Sequence, residues 1–378
     1  MKVLNIDVTV DPVSGGGCAE RTFQMTRALD RNNVDCRLLV LDIGLTEERL
    51  MALGNVDVTV FPCLNQRFYV PLPRLWQLAD LVRGADIIHL MGHWEFTDAL
   101  VYPFLRWFQK PYVNCPAGSL NIYGRSKGLK WIHDRLIGRQ IVRNAEKLIA
   151  ISPNEFYQFR QYGAKSSNIA LIPNGINPEE YILADDRSFR TRYELGDNPF
   201  ILFIGRLNPI KGPDLLLRAF VEIESAYPDH HLVFAGPDEG LQKDLQRQAV
   251  ESGMQNRVHF TGFLAQKEKS MALHAAEFLV IPSRSEAMSI VVLEAGAAST
   301  PVLATDQCGL NDIADIGGGA IVPVSVEGLN KGLRKMISSG SELIAMGKKL
   351  NKFVLADYTW QAMAERLVEL YRDILARQ

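Results

Sequence analysis

From Glu277 to Thr305 the chain reads as strand, helix and strand in immediate succession, and this unit constrains the fold more than any other stretch. Glu277-Phe-Leu-Val-Ile-Pro282 is a short apolar run closed by proline, the pattern of a strand covered on both faces. Ser289 to Ala298 is apolar on every side except at Glu294, with small residues in its second half. A helix that is apolar all round is an interior one. Pro301-Val-Leu-Ala-Thr305 follows as the second buried strand, so the unit predicts a parallel sheet in an α/β domain.

Glu294 is the anomaly, because an ionised carboxylate inside a buried helix is costly unless other groups satisfy it. Glu286 lies eight residues earlier, in the loop at the carboxyl end of the first strand, where open α/β sheets bind ligands. Between the two acids the amides of Met288, Ser289 and Ile290 form a helix N-terminus, which suits phosphate. On a continuous helix the two acids would stand about 12 Å apart. That span fits one ligand with hydroxyls at both ends and phosphates between, the layout of a nucleotide sugar. A structural account fits as well: Glu294 as a satisfied interior carboxylate, Glu286 as a solvated loop residue.

Glu286, seven residues, Glu294, then Ala295, Gly296, Pro301 and Val302 resemble the signature of the family 4 retaining glycosyltransferases. The resemblance implies an α/β chain of the GT-B fold. Two Rossmann-like domains would face a central cleft, with a C-terminal helix crossing back to the N-terminal domain. It also implies that Glu286 lies beside the transferred sugar and its phosphates, while Glu294 holds the ribose hydroxyls. The usual Gly-Phe-Gly after the first glutamate is here Ala287-Met288-Ser289.

A chain of 378 residues suits two domains better than one. The expected division is 1–180 for an acceptor-side domain, 181–356 for a nucleotide-sugar domain and 357–378 for the returning helix. Hydrophobic content of 47% and charged content of 22% are ordinary for a globular chain, and a net charge of −2 gives no global attraction to nucleic acid. The five cysteines are scattered and odd in number, without a C-x-x-C pair, which argues against a disulfide framework or a cysteine zinc site. Met1-Lys-Val-Leu-Asn-Ile-Asp reads directly as a strand, and no apolar run approaches the roughly 20 residues that span a bilayer. The expected location is the cytoplasm.

In the first half, Lys2 to Val8 is a strand, Asp11-Pro-Val-Ser-Gly15-Gly16-Gly17 a loop, and Cys18 to Arg31 a helix. A strand–glycine loop–helix order lets backbone amides face an anion. The loop resembles the family's N-terminal Gly-Gly motif, which places Gly16 and Gly17 against the donor diphosphate. Cys36 to Asp42, Val56 to Phe61, Asp86 to Met91 and Lys147 to Ser152 read as further strands. His93 and Trp94 are candidate acceptor contacts, since aromatic faces stack on sugars. Many relatives read Pro-His-Gly where this chain has Pro116-Ala117-Gly118, so Ala117 stands in place of a sugar-contacting histidine. Either the chain manages without that imidazole, or another group such as Asn114, Ser119 or His133 supplies the hydrogen bond, or catalysis is impaired. Lys127, Lys130, Arg135, Arg139 and Arg143 share a segment with helically spaced Leu129, Ile132, Leu136, Ile137 and Ile141. The apolar stripe is expected to face inward. The bases form either a solvated face or, with Trp131, a surface for an anionic acceptor at the inner face of the cytoplasmic membrane. Asn168 to Asn177 resembles the family's interdomain strand with its Pro-Asn-Gly turn, and 175–197 reads as linker.

The second half opens on Pro199-Phe-Ile-Leu-Phe-Ile-Gly205-Arg206, with Lys211-Gly212 five residues later at a helix start. Two cations at a strand tip can clamp a diphosphate leaving group. The stretch matches the family's Gly-Arg-Leu…Lys-Gly motif, which assigns Arg206 and Lys211 to the nucleotide diphosphate. Gly236, Gly262 and Phe263 sit in strand-tip turns lining the same crevice, and the resemblance places the last turn near the base. Asp306 to Asp312 resembles a shielding loop, and Tyr358 to Arg377 the returning helix. No Asp-x-Asp occurs, so neither metal nor cofactor is expected; the donor, a UDP- or GDP-sugar, is a substrate. The resulting expectation is metal-independent transfer of a hexose, with retention, to a saccharide or lipid-linked saccharide in cell-surface polysaccharide or glycolipid assembly. The alternatives are a sugar-nucleotide-binding pseudoenzyme and a nucleotide-sugar epimerase of the same fold.

Overall fold

The apolar runs separated by βα turns form two parallel sheets in a computed structural model that describes residues 1–72, 74–120, 127–182 and 186–377. The chain divides into unit 1, Met1–Gly175 with Trp360–Gln378, and unit 2, Ile176–Thr359.

Unit 1 carries β1 (Lys2–Ile6), β2 (Asp35–Leu41), β3 (Asp57–Phe61), β4 (Ile87–Met91), β5 (Tyr112–Cys115), β6 (Lys147–Ala150) and β7 (Ile169–Leu171). Their order is β3-β2-β1-β4-β5-β6-β7, every neighbour parallel. The strands expected in this unit from the sequence lie within two residues of these limits. α1 (Pro12–Arg31) corrects the expected glycine loop. The Asp11 carboxylate caps it by accepting from the Val13 and Ser14 amides, at 3.2 and 2.8 Å, with Pro12 at the first helical position. The helix then kinks at Gly16, where φ is 60° and ψ −140°, and resumes. The glycine run is thus a break inside a helix rather than a loop before one.

α2 (Lys127–His133) leads through a π-helical turn, Asp134–Gly138, into the single turn Arg139–Arg143. Here the expected inward stripe fails. Leu129, Ile132 and Leu136 are 56%, 47% and 69% exposed, and Trp131 is 58% exposed. Ile141 is buried in the core and Ile137 packs partly against it.

Unit 2 carries β8 (Phe200–Ile204), β9 (His231–Ala235), β10 (Val258–Gly262), β11 (Phe278–Ile281), β12 (Val302–Thr305) and β13 (Gly319–Val322). Their order is β10-β9-β8-β11-β12-β13, again all parallel. The helices that matter below are α3 (Pro213–Val221), the interior α4 (Ile290–Ala297), and α5 (Glu342–Asp357), which packs on α4. The stretch 175–197 is no free linker: Tyr181, Phe189 and Leu195 in it are buried, and Phe189 stacks on Phe200 at 6.0 Å. Each unit has its own hydrophobic core.

α6 (Trp360–Leu375) belongs to unit 1 and packs on α1. It buries Met363, Leu367, Tyr371 and Ile374, and the Tyr371 hydroxyl meets His89 Nδ1 at 2.6 Å. Arg21 on α1 is buried beside it. Its guanidinium donates to the carbonyls of Ile172 and Pro173 and to Asn174 Oδ1, at 3.1, 2.9 and 2.9 Å.

Candidate functional site

In unit 2 the order of strands reverses between β8 and β11, so the loops leaving these neighbouring strands run side by side at their carboxyl ends. Gly212 lets them touch. Its φ is +72°, and a Cβ there would stand 2.1 Å from the Pro282 carbonyl oxygen, which excludes any side chain. This approach brings Lys211 Nζ within 3.0 Å of Glu286 Oε1, which also accepts from the Ser283 hydroxyl at 2.5 Å. Arg284 anchors the second loop through a bidentate pair with Asp214 on α3, at 2.8 and 2.7 Å.

Arg206 leaves the tip of β8 and pairs with Glu239 Oε1 at 2.8 Å. Asn208 donates to the other Glu239 oxygen at 2.6 Å and accepts from the Lys211 amide at 3.0 Å. The tips of β8 and β9 close on each other at Gly236, where a Cβ would lie 2.0 Å from the Gly205 carbonyl oxygen. Gly236 donates to the Gly262 carbonyl at 2.8 Å, and Phe263 beyond it is exposed. Arg206, Lys211 and Glu286 therefore occupy one strand-tip region, bordered by Gly205, Gly236 and Gly262. Sequence reasoning missed Glu239 and Asn208. The Asp238-Glu239-Gly240 turn after a strand was the available signal for Glu239.

Glu294 sits on α4 with 4% exposure and accepts from Lys269 Nζ at 2.5 Å. The Tyr181 hydroxyl faces the same carboxylate, and burial first, then the Glu294 charge, push it well above its ordinary range. Lys269 was not foreseen. Glu286 lies in the loop before α4, so the helical spacing assumed between the two acids does not apply. The expected run of open amides is also shorter. Ser289 donates to the Cys308 carbonyl at 3.0 Å and Glu286 to that of Gln307 at 2.9 Å, tying the 306–312 loop over the start of α4. Met288 and Ser289 are buried, and first-turn amides from Ile290 onward have no partner within the helix.

In unit 1 the reversal falls between β1 and β4. Gly16 and Gly17 lie at the kink of α1. His93 and Asn114 are interior rather than surface residues. Asn114 Nδ2 donates to the carbonyls of Gly92 and Leu90, at 3.1 and 3.4 Å, and His93 Nε2 lies 2.9 Å from Asp134 Oδ1. Trp94 is half-buried. Its indole N–H donates to the Ser119 carbonyl, and Lys130 Nζ stands 5.3 Å over its ring. The Ser119 hydroxyl donates to the Pro116 carbonyl at 2.6 Å, and Lys127 is exposed. Ala117 has a left-handed φ of 47°, in a turn held by the Gly118 amide donating to buried Glu155 at 2.6 Å.

Beneath these loops lie acids that the sequence did not single out. Burial raises the Asp7 carboxyl to about 6, and lifts Glu95 and Asp98 well above the carboxylate range, with the Asp7 charge contributing to both. His93, His133 and Asp134 form a cluster able to hold a metal ion.

Residues 15–180 match the family model described as Glycosyltransferase Family 4, and residues 185–354 match that described as Glycosyl transferases group 1. The chain belongs to the family 4 glycosyltransferases. Among curated relatives of this family 4 chain, a D-inositol 3-phosphate glycosyltransferase of Corynebacterium jeikeium is 33% identical over 257 residues, 64% of this chain and 60% of the relative. One of Nocardia farcinica is 30% identical over 247 residues, 63% of this chain and 54% of the relative. The matches thus span less than two thirds of the relatives' length. Among solved structures, Anabaena Alr3699/HepE in complex with UDP and glucose aligns with a TM-score of 0.81 at 20% identity, covering 99% of this chain and 100% of that one. That likeness shows the fold, GT-B.

Proposed function

We propose that the chain transfers a hexose from a nucleoside diphosphate sugar to an acceptor hydroxyl with retention at the anomeric carbon. The observation that carries this reading is the meeting of Arg206, Lys211 and Glu286 at the strand-order reversal of unit 2. The charges of Arg206 and Lys211 are balanced by Glu239 and Glu286, and the donor diphosphate takes over both cations when it binds. Charge growing on the leaving diphosphate is then met by two fixed cations and by the first-turn amides of α4, a preorganised arrangement that stabilises the transition state. Glu286, released from Lys211, faces the hydroxyls of the transferred sugar. Glu294 accepts from the ribose hydroxyls beside its partner Lys269. Exposed Phe263 and the Gly236 and Gly262 turns border the base.

Uracil is the first base to test, because the aligned Anabaena protein was solved with UDP and glucose. The acceptor is a saccharide or lipid-linked saccharide, and assembly of cell-surface polysaccharide or glycolipid follows from it. The exposed Leu129, Trp131, Ile132 and Leu136, interleaved with Lys127, Arg135 and Arg139, support peripheral contact with the inner face of the cytoplasmic membrane. Among the described residues no helix is long and apolar enough to cross one. The similarity to D-inositol 3-phosphate glycosyltransferases favours a second reading, a phosphorylated polyol as acceptor.

A melting screen against UDP-, GDP- and ADP-sugars identifies the donor, since a ligand of the folded state alone raises its melting point. Proton NMR of the product then reports its anomeric configuration. A donor that binds but turns over on no acceptor points to a pseudoenzyme, and isomerised donor without acceptor to an epimerase. An inverted product removes the retaining mechanism.

A further inference from the structure

At the tip of β4, His93, His133 and Asp134 converge so that one ligand atom of each lies within 4.8 Å of the other two. His93 Nε2 and Asp134 Oδ1 are 2.9 Å apart. Two ligand atoms bound to one cation at about 2.1 Å stand about 3.0–3.4 Å from each other, so this pair needs to shift only a few tenths of an ångström. Three imidazole nitrogens here, Nδ1 of His93 and both of His133, are buried without a hydrogen-bond partner among the described residues. Such groups are normally satisfied, and an unpaired buried one is costly.

The surroundings fit a metal's outer shell. Tyr162 donates from its hydroxyl to the second Asp134 oxygen at 2.6 Å, the kind of bond that orients a ligating carboxylate. The Trp94 ring stands edge-on to both imidazoles, at 4.6 and 5.6 Å, and screens them from water. Gly138 keeps the space open, because a Cβ there would stand 2.7 Å from Asp134 Oδ1 and 2.8 Å from His133 Nδ1. Asp134 to Gly138 is the π-helical turn, a rare element that concentrates at functional sites.

We propose that His93, His133 and Asp134 bind a divalent transition-metal ion of the zinc class. Two imidazoles with one carboxylate suit zinc and its borderline neighbours, whereas magnesium and calcium prefer oxygen throughout. Three protein ligands leave a coordination position open. The ion ties the start of the π turn to the loop after β4. The inference stands on unit 1 alone and is independent of the donor site in unit 2.

The test is titration of chelator-stripped, full-length protein with Co2+, read by visible d–d absorption, and with Zn2+, read by calorimetry. Wild type should bind one equivalent. His133→Ala and Asp134→Asn should each lose at least about tenfold in affinity, and Tyr162→Phe should weaken binding by about tenfold. Zn2+ should raise the melting point of wild type but not of His133→Ala. Circular dichroism verifies folding, and if Asp134→Asn does not fold, His133→Ala decides alone. The absence of saturable Co2+ and Zn2+ binding in wild type overturns the proposal. So does undiminished binding in His133→Ala, which would place the ion elsewhere, for instance on the cysteines.

Discussion

Gly212 shows how much of the donor region rests on single residues. With φ at +72° and the Pro282 carbonyl against its α-carbon, it alone allows Lys211 to reach Glu286. Gly212→Ala should cost about 1–3 kcal/mol of stability and weaken donor binding together; an unchanged urea midpoint would argue that the loops are not held this way. Arg206 and Lys211 were legible in the sequence because they follow a buried strand at the spacing of a known motif. Glu239 and Asn208 were not. The Arg206–Glu239 contact spans 33 residues and exists only once β8 and β9 are paired. Asp7 makes a separate, pH-dependent prediction. Burial lifts its carboxyl from 3.8 to about 6, although the Thr22 hydroxyl and the Val8 amide both donate to it. Between those values the folded chain keeps a proton that the unfolded chain has lost, so the contribution to stability falls as pH rises through this window and stays low above it. Relative to wild type, Asp7→Asn should therefore gain stability between pH 4.5 and 7, by about 2–3 kcal/mol. A pH-independent difference in urea denaturation would contradict this.

At the scale of elements, α4 was fully legible because it is apolar on every side, which leaves only the interior for it. What satisfies Glu294 was not legible, since Lys269 sits on another helix, Gln266–Ala275. Lys269→Met should leave a lone buried carboxylate and destabilise the chain by about 3–5 kcal/mol, and adding Glu294→Gln should recover much of that loss. Additive losses in the double variant would show that the two side chains are not coupled. The segment from α2 to the π turn was misread for a different reason. Helical periodicity says which residues share a face but not whether that face meets the core, and the π turn at Asp134 shifts the phase between Ile132 and Ile137. β13 escaped notice because Gly317 and Gly318 precede its four residues and give a loop composition. The 175–197 stretch was misjudged on its Pro, Asp and Asn content, while Ile176, Tyr181, Phe189 and Leu195 within it are buried.

At the scale of the molecule, two sheets with separate cores share one chain, and α6 completes the first unit from the far end of the sequence. The parallel α/β architecture and the returning helix were legible from alternating βα patterns and the family resemblance. The buried Arg21, which ties α1 to the carbonyls of Ile172 and Pro173, was not. Arg21→Leu leaves those carbonyls without their charged donor, and it should lower the unfolding transition of unit 1 by about 3 kcal/mol. Calorimetry with and without donor should show the ligand-shifted transition unmoved by the substitution; movement of that transition would mean the units do not unfold separately. The central claim is that the unit 2 strand tips hold the donor, with two cations on the pyrophosphate and an interior acid on the ribose. A crystal structure with an intact nucleoside diphosphate sugar tests it most directly. The account predicts pyrophosphate oxygens on Arg206 and Lys211 and ribose hydroxyls on Glu294. A donor bound away from these loops, or a ribose that leaves Glu294 engaged with Lys269 alone, would contradict it.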